Sequence, residues 1–189
     1  TNAMILAAQF GRIDILKYLI DCGAKIDCQD LMGSTPLMWA SYSDKIEIAN
    51  ILIDNGADVN LPDGEYAATP LIWWTVNSSG EYDRLDNLIK QGANPIYRDI
   101  NGKSAVIHAR ENSLPDVAEI LEKKIEKYQK LQSKLVEIYS KLKRYAGKLM
   151  KGYEGAQYAL ESNYKIFKDL LEAGARIDSS MLEVLEFCA

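Results

Sequence analysis

Residues 35–60 read TPLMWASYSDKIEIANILIDNGADVN, and this stretch decides the fold of the chain. Thr35 can cap the free amide donors at the start of a helix, and Pro36 suits the first helical position because no donor is needed there. Small or apolar residues follow on one face, and Ser43-Asp44-Lys45 interrupts the run. A second apolar helical pattern then ends at Gly56, which suits a left-handed helix end. The stretch therefore predicts two short antiparallel helices.

The same pattern occurs four times along the chain. Its copies begin at Asn2, Thr35, Thr69 and Ser104, at steps of 33, 34 and 35 residues. The first three copies also share a pair of small residues near their ends, Gly23-Ala24, Gly56-Ala57 and Gly92-Ala93. A repeat of this period indicates a solenoid. Because two such short helices cannot bury an apolar face alone, the copies must stack into one continuous core.

These residues resemble the ankyrin repeat family, most clearly in Thr35-Pro36-Leu37, Ala40, Ile48, Leu52 and Gly56-Ala57-Asp58-Val59-Asn60. The resemblance covers about residues 2–122 and implies an all-α solenoid of about four repeats. We expect the sequence to begin inside a longer array, because the first copy enters at Asn2. The third copy carries about two extra residues around Ser78-Ser79-Gly80, which predict a longer turn.

The chain departs from the family at one position of every copy. The family's His after Thr-Pro-Leu is replaced by apolar residues, namely Ile5, Met38, Ile72 and Ile107. We expect apolar packing to take the place of the hydrogen bonds which that His makes between repeats.

The apolar pattern continues past the point where the fourth copy should end. Its second helix begins near Pro115, yet no Gly or Pro occurs before Gly147. Steps of four and three residues form a heptad seam, whose members are Val117, Leu121, Lys124, Tyr128, Leu131, Leu135, Ile138, Leu142, Tyr145 and Leu149. Two models fit: one long helix from Pro115 to Met150 with an antiparallel return, or a hairpin broken near Gln132-Ser133. The unbroken seam favours the first model.

The C-terminal segment predicts a return toward the repeats. Gly152 and Gly155 permit a reversal, and residues 165–178 resemble the second half of an ankyrin repeat, so we expect a degenerate fifth copy. Ser180 could cap a closing helix from Met181 to Cys188. The predicted domains are ankyrin repeats in 1–122, a basic heptad helix in 123–151 and a C-terminal helical segment in 152–189.

Charge is divided unevenly along the 189 residues, whose net charge is −5. Residues 1–122 hold 9 basic and 18 acidic side chains, residues 123–151 hold 10 and 2, and residues 152–189 hold 3 and 7. Clustered cations attract anionic membrane, nucleic acid or acidic partners, and the candidates are Lys134, Lys141, Lys143, Arg144 and Lys148. We interpret the lysines as surrounding the helix, with few aromatic residues alternating with them, which favours a solvated face over nucleic-acid or membrane contact.

The ankyrin resemblance implies a partner surface on the concave side, built from first helices and finger loops. Trp39, Trp73 and His108 occupy equivalent positions of three copies, and Tyr42 and Glu111 lie one helical turn further along two of them. These five residues are the candidate site for a protein partner of unknown identity. The alternative is that Trp39 and Trp73 only pack against each other and the loops. The neighbouring Trp74 is predicted to face the adjacent helix and to be structural.

Nothing in the sequence predicts catalysis, a metal site or a cofactor. His108 is the single histidine, the three cysteines (Cys22, Cys28 and Cys188) lack ligand spacing, and no phosphate-binding loop occurs. We expect reduced thiols and no apolar run long enough to span a membrane.

The sequence therefore predicts a non-catalytic protein-interaction module. The alternatives are a scaffold whose basic helix contacts anionic membrane or nucleic acid, and the recruiting fragment of a larger effector or enzyme. The expected compartment is the cytoplasm, or the host-cell cytosol if the chain belongs to a secreted effector.

Overall fold

A computed structural model describes residues 2–77, 82–149, 156–172 and 175 of the chain. These residues form helices joined by turns and loops, with no strand among them. The helices are α1 (Ala3–Gln9), α2 (Ile13–Asp21), α3 (Pro36–Tyr42), α4 (Ile46–Asp54), α5 (Pro70–Asn77), α6 (Tyr82–Lys90), α7 (Ala105–Glu111), α8 (Pro115–Leu149) and α9 (Ala156–Glu172). The described residues form an all-α stack of helix pairs, consistent with the ankyrin solenoid that the sequence predicts, and the stack is followed by a long helix.

Capping side chains define where the first helices of the repeats begin. Asn2 accepts a hydrogen bond from the backbone N–H of Ile5 at 3.0 Å, and Thr35 accepts one from Met38 at 3.3 Å. The N–H of Thr35 also donates to the Met38 sulfur, which closes a capping box. Ser104 adopts the same extended backbone before α7 without a side-chain cap. The helix start predicted at Thr35 is therefore confirmed.

The first helices end in the same way in three repeats. The backbone N–H that follows each turn donates to the carbonyl five residues earlier, in the pairs Arg12 to Ala7, Lys45 to Ala40 and Leu114 to Ala109. One residue in each turn has a left-handed backbone, namely Gly11, Asp44 and Ser113. Glycine adopts this conformation without steric cost, whereas Asp44 and Ser113 adopt it with their Cβ atoms present.

The second helices end at the Gly-Ala pairs. Ala24, Ala57 and Ala93 donate their N–H groups to the carbonyls of Leu19, Leu52 and Leu88 at 2.8–3.0 Å. The glycine before each alanine has a positive φ, as the helix-end prediction at Gly56 requires.

Backbone hydrogen bonds join the finger loops between successive repeats. Gly64 donates its N–H to the carbonyl of Met32 at 2.9 Å, and Ile100 donates to that of Tyr66 at 2.8 Å. A Cβ at Gly33 would collide with the backbone of Gly64, so the close approach of these two loops requires glycine. Successive finger loops are therefore linked to one another by backbone hydrogen bonds, in addition to the packing between the helices.

The helices of the repeats stack in chain order. α1, α3, α5 and α7 pack successively against one another, and α2 packs against α4. Ile5, Met38 and Ile72 are fully buried and Ile107 is half-buried, so apolar packing occupies the position of the family's His as expected. Trp74 has no exposed surface, which confirms its structural assignment.

The segment after the fourth copy is one uninterrupted helix. α8 runs for 35 residues from Pro115 to Leu149, about 52 Å, which confirms the long helix and rules out a hairpin broken at Gln132-Ser133. Lys124, the polar member of the seam, forms an ion pair with Asp86 of α6. The hydrogen bond that Lys124 donates to Asp86 in this ion pair holds the pKa of Asp86 below its usual value of 3.8.

The chain divides into two compact units, residues 1–124 and 125–189. The second unit has its own core, in which Leu135, Ile138 and Leu142 of α8 are buried together with Phe167 of α9. Since residues 150–155 alone separate α8 from α9, the two helices that share this core run in opposite directions. Ala175 donates to the carbonyl of Leu170 at 3.0 Å, the same helix-end bond as in the repeats. This bond supports a degenerate fifth copy.

Some sequence predictions lie outside the described residues. They are the long turn at Ser78-Ser79-Gly80, the reversal at Gly152 and Gly155, and the closing helix from Met181 to Cys188. Among the described cysteines, Cys22 and Cys28 are free thiols. None of the helices described combines the length and apolar character needed to cross a bilayer.

Candidate functional site

Each of the two predicted anchor tryptophans is held by an aspartate from the preceding finger loop. The indole N–H of Trp39 donates to Asp30 Oδ2 at 3.2 Å, and that of Trp73 donates to Asp63 Oδ2 at 2.7 Å. Both rings are half-buried, and their N–H groups are already satisfied within the chain. The tryptophans therefore offer ring surface, not hydrogen-bond donors, to a partner.

His108 repeats this arrangement in the fourth copy. Its Nε2 lies 2.8 Å from Asp99 Oδ2, and the imidazole is half-buried like the two indoles. The equivalence of Trp39, Trp73 and His108 that the sequence register predicts thus extends to the acidic residue that each ring contacts.

The same aspartates organise the backbone of the finger loops. Asp30 Oδ1 accepts the N–H groups of Met32 and Ser34, and Asp99 Oδ1 accepts those of Asn101 and Lys103. One carboxylate oxygen therefore fixes the loop while the other fixes the ring. The position of each ring and the shape of its loop are consequently linked.

The pKa values of two of these carboxylates reflect their hydrogen bonds. Burial raises the pKa of Asp30, but hydrogen bonds from Ser34, Trp39 and Met32 outweigh burial and hold the pKa below 3.8. Burial likewise raises the pKa of Asp99, and hydrogen bonds from His108 and from the loop N–H groups hold it below 3.8. Both carboxylates are ionised at neutral pH.

The second of these finger loops contains one more residue than the other two. Ten residues separate Asp63 from Trp73, against nine in the pairs Asp30–Trp39 and Asp99–His108. Ala67 has a left-handed backbone with φ 52° in this loop, and Asp63 Oδ1 accepts the N–H groups on both sides of it, from Tyr66 and Ala68. The extra residue is therefore accommodated without loss of the contact between aspartate and ring.

Three of the predicted site residues form one aromatic cluster. The ring centroids of Trp39 and Trp73 lie 5.4 Å apart, and Tyr42 lies 6.1 Å from Trp39 and 5.8 Å from Trp73. All three pairs meet edge to face, the geometry that aromatic quadrupoles favour. The rings thus pack against one another and the loops, as the alternative interpretation expects, while all three remain partly exposed.

A mostly apolar cavity of about 320 Å³ adjoins this cluster between the third and fourth copies. Its walls include Tyr42, Tyr66, Ile72, Trp73, Val76 and His108. Tyr66 at the tip of the finger loop and Val76 of α5 are close to half exposed, at 49% and 45%. The structure therefore brings four of the five predicted residues to one aromatic surface with a cavity beside it.

Glu111, the fifth predicted residue, lies at the end of α7 and is exposed. Its carboxylate pairs with the Lys103 ammonium at 2.7 Å, which links the finger loop to the helix that follows it. Unlike Tyr42, Trp73 and His108, Glu111 does not line the cavity.

The predicted basic residues belong to the second unit, and their arrangement on α8 corrects one interpretation. A single row with steps of three and four residues contains six cations, named here the basic row: Lys127, Lys130, Lys134, Lys141, Arg144 and Lys148. On a continuous helix these residues lie within an arc of about 100°. The sequence was interpreted as placing the lysines all around the helix, but four of the five predicted basic residues lie on one side of it. Lys143 is the member of the predicted set that lies on the opposite side.

Sequence reasoning missed Asp30, Asp63, Asp99 and Tyr66. Their signal was present, because an aspartate precedes each ring position by nine or ten residues in three copies. The loop-tip tyrosine had no such signal, since its exposure depends on the turn around Ala67.

The N-terminal part of the chain is similar to known ankyrin-repeat proteins. A family model described as ankyrin repeats (three copies) matches residues 1–63. Palmitoyltransferase Hip14 of Drosophila melanogaster is 31% identical over 103 residues, which cover 54% of this chain and 16% of that protein. Palmitoyltransferase AKR1 of Lachancea kluyveri is 33% identical over 111 residues, or 57% of the chain and 15% of that protein.

A third relative carries no enzyme name. Ankyrin repeat domain-containing protein 29 of Danio rerio is 44% identical over 61 residues, which cover 32% of the chain and 20% of that protein. The chain thus spans about a sixth of the length of the palmitoyltransferases and a fifth of this relative.

Proposed function

Because the chain carries ankyrin repeats, which are generally modules for protein interaction, we propose that it binds a protein partner along Trp39, Tyr42, Trp73 and His108. The observation that carries the proposal is the aromatic cluster, held by loop aspartates beside an apolar cavity. Tryptophan and tyrosine are enriched among the residues that dominate interface energies. An apolar side chain of the partner would fit the cavity.

The rigidity of the rings supports this function. Aspartates hold the rings of Trp39, Trp73 and His108, so little side-chain entropy remains to be lost when a partner covers them. The indole N–H groups and the imidazole Nε2 are engaged, so we expect recognition through ring faces and the cavity. Glu111 would lie at the margin of such an interface, where a charge affects the association rate more than the affinity.

The test compares capture of partners by the full chain and by two variants. Trp39→Ala combined with Trp73→Ala removes the centre of the cluster, and we expect affinity for a captured partner to fall at least about 30-fold, since each anchor contributes about 1–2 kcal/mol or more. Tyr18→Ala removes an exposed aromatic side chain from α2 and serves as the control. We expect the control to retain binding.

Circular dichroism and the urea midpoint of each variant must accompany the binding measurement. An unchanged set of captured proteins and unchanged affinities for a folded double variant would rule out this surface as the partner site.

A second proposal follows from the names of the relatives. The repeats themselves are non-catalytic, but the matched relatives include palmitoyltransferases several times longer than this chain. We propose that the chain is the part of such an enzyme that recruits substrates, in the cytoplasm. Proteins captured by the chain should then incorporate a palmitate analogue in cells that produce the full protein, and should lose that label with Trp39→Ala and Trp73→Ala. Labelling that does not depend on the full protein would contradict this role.

A further inference from the structure

The basic row of α8 concentrates charge on one side of a continuous helix. Its six cations occupy six of the seven successive positions from Lys127 to Lys148, and Glu137 occupies the seventh. The row extends over about 32 Å at the rise of an α-helix. The concave aromatic surface proposed above does not include any of these residues.

Most of the row is exposed and available. Lys127, Lys130, Lys134 and Arg144 are exposed and make no ion pair within the part of the chain that the structure describes. Lys141 pairs with Glu137 at 2.6 Å, and Lys148 lies over the Tyr145 ring at 5.8 Å. Exposed pairs between residues four apart contribute little stability, so the row is not explained by ion pairing within the helix.

The apolar side of the same helix segment is already occupied. Leu135, Ile138 and Leu142 are buried in the core of the second unit with Phe167. This segment of α8 therefore presents a row of charge without an apolar stripe that could sink into a bilayer. Binding through the row must be electrostatic and peripheral.

The composition of the row favours one class of anionic partner over another. Five of its six cations are lysines, which act as point charges, whereas recognition of individual nucleic-acid phosphates favours the forked arginine group. Tyr145, the aromatic side chain beside the row, is half-buried against the core of the second unit and lies under Lys148, so the row lacks a free platform for stacking bases. A continuous row of lysines matches a surface of distributed negative charge.

We propose that the basic row docks this chain onto a membrane surface rich in anionic phospholipid. Lysines and arginines clustered on a helix bind such surfaces, and each residue near the surface contributes about fivefold in affinity. Contact is reversible and sensitive to salt, because the attraction is screened within a Debye length.

The experiment measures binding of the full chain to vesicles by co-sedimentation. Vesicles of phosphatidylcholine alone are compared with vesicles that also contain phosphatidylserine, at ionic strengths of about 0.1 M and 0.5 M. We expect binding only to the anionic vesicles and its loss at the higher salt. Lys130→Gln with Lys134→Gln should weaken binding about 25-fold.

The control variant removes the same charge outside the row. Lys143→Gln with Lys165→Gln changes two exposed lysines, and we expect this variant to bind within about threefold of the natural sequence. Helical content by circular dichroism verifies the fold of both. Capture of the protein partner should be unaffected by either variant, which separates this proposal from that of the aromatic surface.

Three results would overturn the proposal. They are absence of binding to anionic vesicles at low salt, equal losses in the row and control variants, and tighter binding to a duplex or single-stranded oligonucleotide than to the anionic vesicles.

Discussion

Trp73 and Trp74 are neighbours in the sequence with opposite environments. Trp74 is fully buried in the stack, whereas Trp73 is half-buried and belongs to the aromatic cluster. The repeat register predicts this difference, because successive residues of a helix point about 100° apart. Residue type alone could not have separated the two.

Replacing Trp74 should cost far more stability than replacing Trp73. Trp74→Ala empties a fully buried site, and we expect the free energy of unfolding to fall by about 3–5 kcal/mol. Trp73→Ala removes one half-exposed ring and its hydrogen bond, so a smaller loss is expected. Urea denaturation followed by circular dichroism measures both, and equal losses would contradict the assignment of Trp74 to the core.

Acid should weaken the finger loops through Asp30 and Asp99. The pKa of each carboxyl is lower in the folded chain than the ordinary 3.8, so the stability that each provides is present above pH 3.8. That stability is lost as the pH falls through the lower folded value. Asp30→Asn with Asp99→Asn should reduce stability at neutral pH and flatten its decline in acid.

The measurement is the urea midpoint as a function of pH for both proteins. An equally steep acid decline in the asparagine variant would show that these two carboxylates do not carry the effect.

Among the structural elements, a turn between paired helices holds a residue other than glycine in a strained left-handed backbone conformation. Ser113 adopts φ 58° at the position where the first copy has Gly11. Such a backbone costs a residue with a Cβ about 1–2 kcal/mol, a cost that glycine avoids. Part of this gain is cancelled because glycine loses more conformational entropy when the chain folds. Ser113→Gly should therefore raise the free energy of unfolding by about 0.5–1 kcal/mol.

The reciprocal change provides the control for this turn. Gly11→Ala imposes the same strain in the first copy and brings the new Cβ within 3.2 Å of the Lys45 side chain, so it should destabilise the chain by about 1 kcal/mol. Thermal unfolding of the two variants should shift in opposite directions. Shifts of the same sign would refute the role of the left-handed backbone.

Sequence reasoning succeeded where a periodic pattern controls the structure. Helix starts at Asn2 and Thr35 follow from capping chemistry, and the single helix α8 follows from its unbroken seam. It failed where a contact depends on the path of a loop. The contact between Asp63 and Trp73 requires the turn that accommodates Ala67, and no periodicity predicts that turn.

The basic row was missed for another reason. Its positions repeat with heptad spacing beside the apolar seam, whereas the total charge of the segment does not show on which side of the helix the cations lie.

At the scale of the whole chain, charge differs between the two compact units. Residues 1–124 hold 11 basic and 18 acidic side chains, and residues 125–189 hold 11 and 9. The repeat unit therefore repels the anionic surfaces that we expect the basic row to approach. We therefore expect the second unit, and not the repeats, to supply the attraction to anionic lipid.

The second unit should lose protection locally when its core is disrupted. Phe167 is fully buried among residues of α8 and α9, and Phe167→Ala should destabilise this core by about 3–5 kcal/mol. Amide hydrogen exchange should then accelerate in α9 and in residues 135–146, while α3 and α5 keep their protection. Uniform acceleration through the repeats would show that the two cores unfold together.

The short distance between the two indoles allows the rotation of one repeat against the next to be followed by circular dichroism. The ring centroids of Trp39 and Trp73 lie 5.4 Å apart, so the electronic transitions of these two indoles, which come from consecutive repeats, couple as excitons. The sign and splitting of the resulting couplet in the ultraviolet circular dichroism spectrum depend on how one repeat is rotated against the next. Flexing of the array under load, or on capture of a ligand, is therefore measurable without attaching a label.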